Sequence, residues 1–132
     1  MSHSDSRRET GMRVRREVLG DAYVDQAVSR TTPFTERFQE FITEVAWGDV
    51  WGRPDLDRKT RSCITVALLA ALGHDGELAH HVRGALRNGL TPADLAGVLI
   101  HTALYAGLPA ANRAFAVAQR VLDEVAAEEP AR

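Results

Sequence analysis

A short run, GHDGELAHH from Gly73 to His81, gathers three histidines with Asp75 and Glu77. Histidine changes charge near neutral pH, and a neighbouring carboxylate can orient the imidazole and favour its protonated form. Positions three or four apart on a helix share a face, so Glu77 and His81 would be neighbours, with His80 one side over. Leu78, Val82 and Ala85 mark the apolar stripe of such a helix. His81 lies at its edge, where partial burial would hold its pKa near working values. His81 is therefore the candidate general acid or base, and Glu77 its orienting partner. The same spacing also describes a helix-stabilising surface pair, and a glutamate in a first turn has a structural reason in the helix dipole. A zinc or iron site from His74, Glu77 and His81 is the alternative chemistry. Against it, His74 is expected in the turn ahead of the helix and no HExxH pattern is present, so no metal is expected.

Other residues could serve the same cluster. His101 and Tyr105, one helical turn apart, are candidate hydrogen-bond donors, although His101 lies among apolar residues and could equally be a core histidine. Arginine recognises carboxylates through two parallel bonds, and Arg53, Arg61, Arg83, Arg87 and Arg113 lie near the segments of interest. Trp47 and Trp51 flank a Gly48, Gly52, Pro54 stretch that reads as a loop, where they would pack a hinge or wall a pocket. Cys63 sits in an apolar run and reads as a small hydrophobe. There is no Ser/His/Asp order, glycine-rich phosphate loop or dinucleotide fingerprint.

These residues need helices to hold them. Thr35 to Trp47 places Phe38, Phe41, Ile42 and Val45 at spacings of three and four, an amphipathic helix. From Leu56 to Leu72 the helical pattern becomes nearly continuous, with Cys63 to Leu72 apolar except at Thr65, and this helix is expected to be buried on most sides; at ten residues that run is too short for the roughly 20 that a bilayer span requires. Gly73 should end it, Asp75 can cap the next helix, and Gly89 should stop that one, which makes a helical hairpin. Thr91-Pro92-Ala93-Asp94 opens another helix, with a capping hydroxyl, proline at the first position and a carboxylate in the first turn. Gly107 and Pro109 separate it from the last. No stretch alternates as strands do, so an all-α domain of five or six helices is expected.

Composition bounds the rest. The chain has 132 residues, 45% hydrophobic and 26% charged, the profile of one ordinary globular domain. A formal charge of -2 gives no basic excess for nucleic acid or an anionic membrane. One cysteine permits neither an internal disulfide nor a CxxC site, and the polar start carries no secretory pattern, so the cytoplasm is the expected location. Residues 1–11 read as a flexible tail, 12–125 as the domain and 126–132 as a frayed end.

Four stretches add a resemblance: RREVLGDAYVD (Arg15 to Asp25), WGDVWGRPDLDRKTRS (Trp47 to Ser62), ITVALLAALGHDGELAHHVRGALRNGLTP (Ile64 to Pro92) and HTALYAGLPAANRAF (His101 to Phe115). Together, over about Met12 to Val125, they resemble the γ-carboxymuconolactone decarboxylase family within the alkylhydroperoxidase-like superfamily. The family's ELxxH pattern is met by Glu77, Leu78 and His81, and its YxGxP pattern by Tyr105, Gly107 and Pro109. Peroxidase-type relatives carry a CxxC pair where this chain has His74 and Glu77, so the resemblance implies acid/base chemistry in place of thiol redox chemistry. It implies an alkylhydroperoxidase-like fold of about six helices with a central hairpin, assembled as a homo-oligomer, trimer or hexamer. The implied reaction is loss of carbon dioxide from 4-carboxymuconolactone, a small dicarboxylate lactone, to give 3-oxoadipate enol-lactone without a cofactor. In that reading His81 is the acid and Glu77 its partner. Arg53 or Arg83 holds the carboxymethyl group, His101 or Tyr105 faces the oxyanion, and Trp47 and Trp51 wall the pocket. A decarboxylase or isomerase for another unsaturated lactone or carboxylate, or a non-catalytic module of the same fold, are the alternatives.

Overall fold

The computed structural model describes residues 3–129, with side chains from Ser6 onward. Seven α-helices and one π-helical stretch account for nearly all of these residues, and no strand occurs among them. None of the described helices is long and apolar enough to cross a membrane. The chain divides into two units, meeting between Arg58 and Lys59.

The first unit contains α1 (His3–Leu19), α2 (Asp21–Ser29) and α3 (Glu36–Phe41), the last continuing directly into a π-helical stretch, Ile42–Trp51. Its core is Val14, Val18, Leu19, Val24 and Trp47. Two differences from the sequence reading stand out here. Helix α1 begins at His3, inside the segment expected to be a tail, because Arg7 pairs with Asp49 and Glu44, and Arg8 with Glu40 and Glu44. Charge pairing rather than apolar burial holds those turns, and so hydrophobic patterning missed them. The second difference is that Gly48 ends nothing, since the helix runs through it to Trp51. Glycine there is a packing requirement, as a Cβ on Gly48 would stand 3.1 Å from the Arg7 carbonyl oxygen. Trp51 is thus on a helix and Arg53 follows it in the loop. Phe38 and Phe41, expected to face the core, are 62% and 59% exposed, and Thr43 and Trp47 are buried instead.

The second unit holds α4 (Arg58–Leu72, from Lys59 onward), α5 (Asp75–Arg87), α6 (Pro92–Ala106) and α7 (Leu108–Glu128). Leu78, Val82 and Ala85 of α5 are fully buried as the stripe requires, among Val66, Ala70, Leu95, Leu99, Ala114 and Val121. Gly73 and Gly89, with φ of +73° and +100°, close α4 and α5 in a backbone region that only glycine enters at little cost. The Asn88 side-chain amide donates to the buried Ser62 hydroxyl at 2.8 Å, tying the end of α5 to the start of α4, as a hairpin demands. At Thr91 the capping box forms completely: its hydroxyl accepts from the Asp94 N–H, and the Asp94 carboxylate accepts from the Thr91 N–H. Asp75, by contrast, is the first residue of α5, and the cap position is His74, with no side-chain bond.

Helix α4 is more exposed than its apolar run predicts. Only Ser62, Val66 and Ala70 are buried on it, and Ile64, Leu68 and Leu72 are 44%, 55% and 66% exposed. A run that is apolar on every side has only one side covered here. Helix α7 runs past Val125 to Glu128, and the rest of the expected frayed end, residues 130–132, lies outside the described residues.

Candidate active site

Glu77 occupies the exposed first turn of α5 and His81 stands one turn further on, half-buried. Core side chains hold the helix in register, with Leu78 directly after Glu77 and Val82 directly after His81, both fully buried. Burial pushes the His81 imidazole below its ordinary pKa, because removing water disfavours the charged form. The Glu77 carboxylate opposes that shift and His80 adds to it. Partial burial is expected from the sequence to hold His81 near working values, and desolvation is the largest influence on it, outweighing the carboxylate. At rest the group is mostly the free base at neutral pH, and an anion arriving beside it would draw a proton onto it.

The remaining expected residues scatter. His74 is exposed at the α5 cap, and among the described residues no three histidine, cysteine or acidic groups converge as a metal set. Arg83 lies two residues from His81, roughly 200° around the helix. Its fork is bound to α7, donating to Glu128 at 2.9 and 3.0 Å and to Glu124 at 3.0 Å. That network makes Arg83 a strut between α5 and α7. His101 is not a core histidine. It is exposed on α6, its ring 5.4 Å from that of Tyr105 and tilted by 41°. It lines a groove of about 590 Å³ along α4 and α6 with Lys59, Cys63, Asp94 and Thr102. A second groove, about 670 Å³ along α6 and α7, is walled by Ile100, Leu108, Pro109 and Phe115 and carries no titratable group. Neither groove includes Glu77 or His81.

In the first unit Trp47 and Trp51 stack with ring centroids 5.3 Å apart. Trp47 belongs to that unit's core and Trp51 packs against it. Arg53 is exposed, with its Nε 3.4 Å from the Asp55 carboxylate. One arginine escaped the sequence reading. Arg15 is buried, although arginine is seldom fully buried unless paired. Its signal was legible, for it sits on α1 one turn from both Gly11 and Leu19, on the face that packs.

Residues 36–120 match the carboxymuconolactone decarboxylase family. The 4-carboxymuconolactone decarboxylase of Acinetobacter baylyi is 42% identical over 123 residues, covering 93% of this chain and 92% of that protein. The chain belongs to the carboxymuconolactone decarboxylase family. Within reach of the same comparison is a nitrosuccinic acid decarboxylase of Metarhizium robertsii, 43% identical over 117 residues, 89% of this chain and 82% of that one. A 4-carboxymuconolactone decarboxylase of Pseudomonas putida is 51% identical over 43 residues, 33% of this chain and 90% of that sequence. Membership puts the α5 pair in a family whose name records loss of a carboxylate.

Proposed function

We propose that the protein is a cofactor-free decarboxylase that converts 4-carboxymuconolactone to 3-oxoadipate enol-lactone, in the protocatechuate branch of the β-ketoadipate pathway. The observation that carries this is near full-length identity to a 4-carboxymuconolactone decarboxylase, 42% over 93% of the chain. The chemistry explains how a helical scaffold with few polar groups suffices. The departing carboxylate sits on the ring carbon that a double bond links to the lactone carbonyl, so the electron pair of the breaking carbon–carbon bond moves through that double bond onto the carbonyl oxygen as carbon dioxide leaves. The substrate is its own electron sink, and a bound cofactor would add nothing it lacks.

What remains for the protein is holding the acid, facing the developing oxyanion and returning one proton to the α-carbon. His81 delivers that proton with Glu77 orienting it. A substrate carrying two carboxylates raises the pKa of a nearby imidazole, so the free base favoured by burial takes up its proton as the anion binds. His101 or Tyr105 supplies the oxyanion donor. Arg53 holds a carboxylate, and Trp47 and Trp51 exclude water from the carboxylate that leaves. The protein works in the cytoplasm as a homo-oligomer, trimer or hexamer. In support, Phe38, Phe41, Ile64, Leu68, Ile100 and Leu104 are large apolar side chains left exposed, the kind of surface that contacts between copies cover.

A second reading is favoured by one specific finding, the comparable identity to a nitrosuccinic acid decarboxylase. Nitrosuccinic acid also carries its own electron sink, since a nitro group can accept the pair. Carbon dioxide release from both acids decides between them. The lactone is expected to react with the higher kcat/KM, and His81→Ala to abolish turnover while folding normally. Preference for nitrosuccinate would replace the first reading, and inertness toward both would leave the non-catalytic one.

A further inference from the structure

Arg15 lies on the packed side of α1 with only 6% of its surface exposed. Its Nη1 donates to Gln39 Oε1 at 3.3 Å, a neutral partner, and its buried Nε makes no hydrogen bond. Among the described residues, no carboxylate is one of the groups that stabilise its charge. Burial pushes its pKa down, the Tyr23 phenol opposes that, and Arg16 adds to it. Other arginines of this unit are answered: Arg7 by Asp49, Arg16 by Asp21 and Asp25, and Arg58 by Glu17. A buried charge without a counter-charge is strongly destabilising, and a fold that keeps one is incomplete until an anion arrives.

Room for that anion exists. A cavity of about 150 Å³ adjoins Arg15, with Gln39 and the buried Thr43 on its polar wall and Met12 and Val28 on its apolar wall. Of the two rim carboxylates, Glu40 is answered by Arg8 and Glu36 lies exposed in the first turn of α3. With its oxygen accepting from Arg15, the Gln39 amide still has donors to offer. The volume corresponds to about five waters, which suits a carboxylate and the carbon that carries it and is too small for a larger polyanion.

We propose that this cavity is a carboxylate subsite, in which the Arg15 fork and Gln39 hold the carboxylate of a small organic acid. Unfolding temperatures of wild type, Arg15→Met and Arg15→Lys are measured in acetate and in succinate against chloride at matched ionic strength. The acids should raise the wild-type temperature above that in chloride, by linkage. Arg15→Met keeps length without charge and should lose that rise without losing stability in chloride. No acid-specific rise in wild type, or a full rise in Arg15→Met, overturns the site. Should Arg15→Met fail to fold, Arg15→Lys decides, because it keeps the charge without the fork and should show a reduced rise; an undiminished one overturns the site.

Discussion

Gly11→Ala should unfold the first unit more easily, against the general rule for helices. A Cβ at Gly11 would stand 2.7 Å from the Thr43 carbonyl carbon, closer still to its oxygen, and 3.2 Å from the Gly48 nitrogen. All are backbone atoms, so no side chain can turn aside. An ordinary carbon contact is about 3.5 Å, so α1 and the π-helical stretch must separate by roughly 1 Å. Overpacking of this kind costs about 1–3 kcal/mol, and here the separation also loosens Val14, Val18 and Trp47. Replacing glycine by alanine inside a helix returns about 1 kcal/mol. A net loss of up to about 2 kcal/mol corresponds to as much as roughly 8 °C in unfolding temperature for a chain of this size. Gly76→Ala is the control, since nothing lies within 4 Å of its Cβ position and its φ is not positive. That variant should gain up to about 1 kcal/mol. Thermal unfolding followed by circular dichroism, at matched protein concentration, reads both. Gly11→Ala unfolding at or above the wild-type temperature would refute the close approach of the two helices.

Further outcomes concern the α5 pair and its neighbours. If protonated His81 delivers the proton, kcat/KM falls as pH rises through its lowered pKa. Glu77→Gln, removing the opposing charge, should move that limb to lower pH, and His80→Asn should move it higher. A limb fixed in both variants would dissociate His81 from catalysis. The same shift touches stability: a folded-state pKa below the unfolded value near 6.5 gives stabilisation present above about pH 6.5 and lost as pH falls through the folded pKa. His81→Asn should therefore flatten the difference between urea midpoints at pH 5 and pH 7, and an unchanged difference would contradict the burial argument. Arg83→Met should lower the unfolding temperature by removing the bonds to Glu124 and Glu128 while leaving KM alone; a tenfold rise in KM would place Arg83 in the site. Thr91→Ala breaks the capping box and should cost about 1 kcal/mol with turnover unchanged, as urea titration and carbon dioxide release would show.

The features that the sequence determined by itself are those that act within a turn or two of helix. The buried stripe Leu78, Val82 and Ala85, the stops at Gly73 and Gly89, the capping box at Thr91 and the adjacency of Glu77 to His81 all follow from spacing and local backbone chemistry. Three-dimensional packing decided the rest. It set Arg83 against acids 41 and 45 residues away and left Arg15 buried beside Gln39, 24 residues on. It also exposed most of α4, carried the helix through Gly48 because α1 lies against it, and turned the His81 shift downward. Periodicity and capping are local, so residue order reveals them. Desolvation and ion pairing depend on what the folded chain brings alongside a group, and that is why the same five arginines near the site looked interchangeable until the helices were packed.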